Sequence, residues 1–238
     1  MNQHREGTFI LPMPRNIAIM YHCLFFMGDP PDLSEKALLV VREQMDHLKA
    51  SGLEDAAQEI HIGVNGGEES EMCRDMLPAK AQVTYHGLQS KSENLTCVMM
   101  ENWVKTHPGW AVLYFHSKSA THAIGSSYGE YADNWRRRMM YHCVENWRQC
   151  VNDLEQFEAV GCHWLTGQGW DKSQHYFAGT TYWVRSEFLA TIPSMFTRQR
   201  IKDSGIDSLE SRYEAEIVLG NGPRLPSVKN YYSGPIGS

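Results

Sequence analysis

Trp110-Ala111-Val112-Leu113-Tyr114-Phe115-His116-Ser117-Lys118-Ser119 decides the fold. Six apolar residues run without a break, and the polarity then flips to His-Ser-Lys-Ser. Bounded in front by His107-Pro108-Gly109, such a run reads as a strand buried on both faces. In an open α/β sheet, ligands bind just beyond the carboxyl ends of such strands. His116 and Lys118 are therefore expected at the mouth of a cleft, two residues apart on one side of the chain. An imidazole and an ammonium there suit an anion, with phosphate the first candidate. The plainer alternative is a strand that ends in solvent.

The surrounding chain alternates strand and helix. Upstream, Asn16–Tyr21 reads as a first buried strand ending in His22, followed by a turn at Gly28-Asp29-Pro30-Pro31. A helix capped by Asp32 or Ser34 is expected to run to about Ala50, with Leu38, Val41, Met45 and Leu48 as its apolar stripe. Glu59–Val64 reads as a second strand ending in Asn65-Gly66-Gly67, and Ala81–Tyr85 as a weaker third. Gly63 and the glycine pair fit either a tight turn or a close backbone approach to a ligand. A helix over Asn94–Lys105 leads to the opening strand. Downstream, a Gly/Ser/Tyr-rich loop precedes one long helix from Tyr128 or Asp133 to Gln156. Strands are expected at Ala159–Trp164 and Phe177–Arg185, and a polar helix at Asp207–Gly220. This rhythm predicts an α/β fold with a mainly parallel central sheet flanked by helices. The expected organisation is an arm (1–15), one domain (16–220) and a tail (221–238).

Composition narrows the function. A net charge of −6 and a pI near 6.0 leave no footprint for nucleic acid. No apolar run reaches the length of a membrane span, and the start lacks a signal-peptide core. A cytoplasmic protein is expected, peripheral to a membrane only through partners; oligomeric state is not legible. The six cysteines are scattered without a C-x-x-C pair, and read as reduced buried thiols.

His22, Asn65, His116, Lys118, His175 and Arg185 all fall at expected strand ends, and the reading places them on one edge of the sheet. A pocket rich in donors and poor in acids suits a diphosphate. The sequence has no D-x-D pair, the natural carboxylate arrangement for Mg²⁺ or Mn²⁺ in nucleotide-sugar chemistry. His-Ser-Lys stands there instead, so a lysine would supply the charge that a metal otherwise gives a leaving diphosphate. No cofactor and no divalent metal is therefore expected, although a site from His116, His122 and a carboxylate stays open. There is no G-x-S-x-G elbow, no phosphate-binding P-loop and no G-x-G-x-x-G fingerprint. Glu214 and Glu216 are candidate general bases; two apart on a helix, only one can face a cleft. Arg136 is a candidate second phosphate contact, and an exposed helical arginine is the alternative.

Four segments in this order carry a resemblance: Tyr114–Ser119, Trp135-Arg136-Arg137-Arg138-Met139, His175–Arg185 and Arg212-Tyr213-Glu214-Ala215-Glu216. They resemble glycosyltransferases of the rhamnan synthesis protein F type, with a His-(Thr/Ser)-Lys strand end, a following Trp-Arg, and a Phe-x-Gly-(Thr/Asn)-x-(Phe/Trp)-Trp-x-Arg strand. The likeness spans residues 110–220, and earlier residues match only in rhythm. It implies a single GT-A-like, Rossmann-like domain and sugar transfer from a nucleotide-diphosphate donor to a glycan or other saccharide, or glycolipid, acceptor. By position it implies His116, Lys118, Trp135, Arg136 and Arg185 on the diphosphate side. His175, Phe177, Gly179, Thr180 and Trp183 fall on the sugar or acceptor side, with Gly179 leaving room for the sugar. Glu216 or Glu214 would be the base. Ile217-Val218 departs from the aromatic that relatives often carry there. The alternatives are a catalytically inactive nucleotide-sugar or glycan-binding module, and a nucleotidyltransferase, which would need acidic metal ligands and a Gly/Arg/Lys-rich first loop.

Overall fold

The computed structural model describes residues 14, 16–25, 31–66, 73–87, 93–167, 174–194 and 213–235. The expected arm, the Gly28-Asp29-Pro30 turn, Gly67, the loop at 168–173, and Arg212 with the first part of its helix lie outside the described residues, as does the Asp32 side chain.

Three long strands, buried over most of their length, form the middle of the sheet. They are β1 (Asn16–Leu24), β2 (Glu59–Asn65) and β4 (Trp110–His116), with the more polar β3 (Gln82–Gly87), none of whose residues is buried, at the edge beside β2. These four are parallel, in the order β3-β2-β1-β4. Beyond β4 the order continues with β8 (Tyr182–Arg185), β5 (Ala159–Gly161) and β9 (Val228–Asn230). β8 runs antiparallel to both neighbours, and β9 is parallel to β5. The sheet is thus seven-stranded and mostly parallel. β6 (Trp164–Thr166) and β7 (His175–Phe177) form a separate antiparallel pair.

Helices cover both faces, which is why the central strands need no polar side. On one face, Ile19, Tyr21, Leu113 and Phe115 pack with Val41, Met45 and Leu48 of α1 (Pro31–Ala50), continued by α2 (Leu53–Ala56), and with the stretch from Met140 to Leu154. On the other, Met20, Val112 and Tyr114 meet Cys97, Met100 and Val104 of α3 (Asn94–Val104), along with the segment from Ala215 to Leu219. All six cysteines are buried free thiols. Among the described residues, no helix is long and apolar enough to cross a membrane.

Three sequence expectations change. The single long helix is instead α4 (Ser127–Met140), a π turn at Tyr141–Glu145, and α5 (Trp147–Asp153). At the break, Asn146 N bonds back to Tyr141 O at 3.1 Å, and the Trp183 indole donates to Cys143 O at 2.7 Å. A side chain that takes a ladder carbonyl is a recognised cause of such bulges. The two downstream strands are each split, at His163 (φ 59) and at Gly179-Thr180 (φ 86 and 53), conformations that a strand cannot hold. Finally, Val228–Asn230, in the segment read as a tail, is a sheet strand.

α4 is anchored by Arg136, which is only 1% exposed. Its guanidinium bonds Glu43 of α1 at 2.6 Å, Asp133 one turn away, and the Ser119 hydroxyl just beyond β4. Asp133 also takes hydrogen bonds from Ser119 and from Lys36 of α1. Burial works against its charge, but the bonds from Lys36, Ser119 and Arg136 outweigh it and hold its carboxyl at about 2, against a usual 3.8. A depressed acid contributes stability above its unfolded pKa and loses it as the pH falls to the folded one. Asp133→Asn is therefore expected to cost about 2 kcal/mol at neutral pH. Its deficit should shrink between about pH 4 and pH 2, as urea titrations at several pH values would show. A deficit that stays constant down to pH 2 would remove the charge from this account.

Candidate functional site

β1, β2 and β4 are parallel, so their carboxyl ends share one edge. His22 lies in register beside both His116 and Gly63. Met20 and Tyr114, two residues before each histidine, pack under α3. Alternation along the strands therefore points His22 and His116 toward the same, α3-covered face.

There they meet the first turn of α3. Glu93, 8% exposed, precedes that helix. One of its oxygens, Oε2, accepts from the Tyr114 hydroxyl at 2.6 Å and contacts His116 Nδ1 at 2.8 Å. Burial opposes ionisation of Glu93, but His116 above all, then His22 and Tyr114, pull its carboxyl below the usual range. The carboxylate is then an acceptor only, so His116 Nδ1 carries the shared proton.

A second chain of contacts starts at His22, which is 3% exposed. Its Nδ1 lies 2.8 Å from Thr96 Oγ1, and that oxygen is 3.2 Å from His86 Nε2. Burial pushes His22 down to about 3; Glu93 opposes this, while His116 and His86 add to it. His22 is thus neutral at physiological pH. Gly63 makes this meeting possible. A Cβ on it would lie 2.0 Å from Thr96 Oγ1 and 2.5 Å from His86 Nε2. Gly63 lies inside β2 rather than in a tight turn, and what approaches it is not a ligand but the Thr96 and His86 side chains of the same chain. The Nε2 atoms of His22 and His116 are buried and have no hydrogen-bond partner among the described residues. Leaving such a group unpaired costs about 1–3 kcal/mol. Both histidines lie at the carboxyl edge of the central strands, where open α/β sheets bind their ligands.

A second group of side chains stands just past β4. Lys118 Nζ sits 4.2 Å from the centroid of the Trp135 ring, a cation–π contact. Lys118 N donates to His116 O at 2.7 Å, and Ser119 follows with φ 74. Trp135 in turn lies against His163, with ring centroids 6.1 Å apart.

Other expected site residues are placed differently. Arg136 directs its two terminal nitrogens at carboxylates rather than at a phosphate. Arg185 pairs with Ala111 at the start of β4, so it lies at the edge opposite His116. It bonds Leu154 O at 2.9 Å, because β8 runs antiparallel. Gly179 leaves no space for a sugar: a Cβ there would lie 2.8 Å from Met139 Sδ and 2.9 Å from the Trp135 ring. Phe177, Thr180 and Trp183 are fully buried, so they have no surface for an acceptor. His175 is half-buried in the small sheet. Asn65 is buried at the end of β2, where its carbonyl accepts from Phe25 N at 2.8 Å. On α6 (Tyr213–Glu216), Glu214 is buried and Glu216 half-buried, the split that their spacing requires.

Glu93, Thr96, His86 and Tyr114 were not singled out by sequence reading. Strand alternation alone puts Tyr114 on the face of His116, and that signal was available. Nothing local points Glu93 or Thr96 at residues on other strands.

No protein-family model matches the chain. No curated protein matches it either. Solved structures similar to it include a protein from Desulfovibrio desulfuricans G20 assigned as a nucleotide-diphospho-sugar transferase; the two are 12% identical over 91% of this chain and 79% of that one, with a TM-score of 0.45. Another is the 4-diphosphocytidyl-2C-methyl-D-erythritol synthase of Anaerococcus prevotii DSM 20548, at 10% identity over 94% and 89%, TM-score 0.45. A Mycobacterium tuberculosis H37Rv protein is 8% identical over 91% and 87%, TM-score 0.41. With TM-scores under 0.5, these likenesses carry neither a reaction nor a substrate to this chain.

Gly63→Ala is expected to cost about 1–3 kcal/mol through overpacking. It should also break the His22–Thr96 contact, visible as shifted imidazole resonances of His22 and His86 by NMR. Wild-type stability together with unchanged resonances would contradict the close approach.

Proposed function

We propose that the protein is a glycosyltransferase that moves a sugar from a nucleotide-diphosphate donor to a glycan or other saccharide acceptor, and that it does so without a metal ion. The observation that carries this reading is the pair of functional groups at the carboxyl edge of the sheet. Lys118 is held over the Trp135 ring, and the His22–His116–Glu93 cluster is at the same sheet edge. The four-segment resemblance to the rhamnan synthesis protein F type supports it as well.

In this reading the donor lies across the carboxyl edge. Lys118 meets the diphosphate and neutralises the charge that grows as the glycosidic bond breaks. The cation–π contact narrows the positions of its flexible side chain, so the charge is in place before the reaction. His116 stands at the reacting centre and His22, neutral, beside it. The sequence has no D-x-D pair for a divalent ion, and the lysine takes that role.

The test is release of nucleoside diphosphate from a panel of UDP-, dTDP- and GDP-sugars, with thermal shifts as the binding readout. Lys118→Ala should slow release by about 10²–10³-fold, the effect of removing one preorganised charge at a developing oxyanion. Near-normal turnover by that variant would sink its assignment to the diphosphate. Activity should also survive EDTA; a loss that Mn²⁺ or Mg²⁺ restores would reverse the metal-free reading. A thermal shift without any turnover would favour the inactive binding module.

A further inference from the structure

We infer that Glu93 is the positioning residue that makes His116 Nε2 the proton acceptor of the transfer step, and hence that transfer inverts the anomeric centre. This rests on the glycosyl-transfer reading above and goes further by naming the base, its orienting residue and the stereochemistry.

The geometry is already assembled. Glu93 Oε2 lies 2.8 Å from His116 Nδ1 and is held from a second side by the Tyr114 hydroxyl at 2.6 Å. Tyr114 and His116 share one strand and one face, so the carboxylate is fixed relative to the ring it orients. Because an ionised carboxylate accepts only, the Nδ1–H tautomer is selected and Nε2 keeps its lone pair. That nitrogen is buried and makes no hydrogen bond among the described residues. A carboxylate behind an imidazole whose far nitrogen makes no hydrogen bond among the described residues is the orienter–base arrangement of general-base catalysis. Glu214 and Glu216, the bases expected from sequence, stand on α6.

The step balances without a further reagent. The acceptor oxygen forms a bond to the anomeric carbon as its proton moves to His116 Nε2. The bond from that carbon to the diphosphate oxygen breaks, and its electron pair leaves with the nucleoside diphosphate near Lys118. The resulting imidazolium is stabilised by the Glu93 carboxylate until its proton passes to solvent. A single displacement of this kind inverts configuration.

The experiment uses full-length protein labelled with ¹⁵N-histidine, assigned with His116→Asn, and follows donor hydrolysis with water as acceptor. In wild type, His116 should show an unprotonated Nε2. Glu93→Gln, whose amide can either donate or accept, should lose that tautomer. It should also lower kcat by about 10²-fold or more, with donor KM within about threefold, since a general base acts on the chemical step. Glu93→Asp retains a carboxylate and should keep the tautomer and part of the rate, which separates positioning from a folding defect. The sugar first released should have inverted configuration by ¹H NMR. An Nε2–H tautomer in wild type, a kcat indifferent to Glu93→Gln, or a retained product overturns the inference while leaving sugar transfer standing. No turnover by wild type across the donor panel overturns both.

Discussion

A guanidinium removed from water must be surrounded by anions and hydrogen-bond acceptors, or it costs several kcal/mol. Arg136 meets that demand with Asp133, Glu43 and the Ser119 hydroxyl. In doing so it ties α1, α4 and the loop after β4 at one point. Lys36 joins from α1 and completes the balance of charge. The neighbouring residue, Trp135, then has little freedom to move. Its indole supports Lys118 on one side and is packed by Gly179 on the other. Three residues in the left-handed region, Ser119, His163 and Thr180, sit around this helix. Such conformations cost about 1–3 kcal/mol each and persist where surrounding contacts over-determine them. An arginine expected to hold substrate instead holds the loop and helix that carry Lys118 and Trp135.

The Glu93 cluster answers to a related constraint with different chemistry. Burying one carboxylate beside two histidines and a tyrosine makes every proton position depend on the others. Glu93 stays charged because its neighbours donate to it, and His22 stays neutral because burial outweighs the attraction of Glu93. Gly63 supplies the space in which Thr96 approaches His22 and His86. The carboxyl edge of the sheet therefore carries two unlike environments, a network of imidazoles around a buried carboxylate and a cation resting on an indole.

What could be read from sequence follows from how local each cause is. β1, β2 and β4 were legible because burial on both faces writes itself into consecutive apolar residues. His116 and Lys118 were legible as the place where that pattern stops. The reversal of β8 was not, since strand direction depends on the turn at Gly179-Thr180, and so Arg185 was assigned to the wrong edge. The break after α4 escaped notice because its partner, Trp183, lies far along the chain. Phe177 and Trp183 match a motif by position yet serve the core, because a motif records residue identity and not which side chains meet water. Glu93 was invisible for the converse reason. An ordinary glutamate before a helix acquires its chemistry only from Tyr114 and His116 on a strand formed later in the chain.

The pairing of β9 with β5 bears on how the molecule is made. β5 lies between β8 and β9, and among the described residues its outer edge pairs with β9, which follows it by a long stretch of chain. During synthesis the parallel half of the sheet can assemble first, while β5 presents unpaired backbone groups until Val228–Asn230 has emerged. Exposed strand edges recruit other chains. The interval between these two strands is thus one in which a nascent chain carries an open edge, and its length is set by topology rather than by the stability of the finished fold.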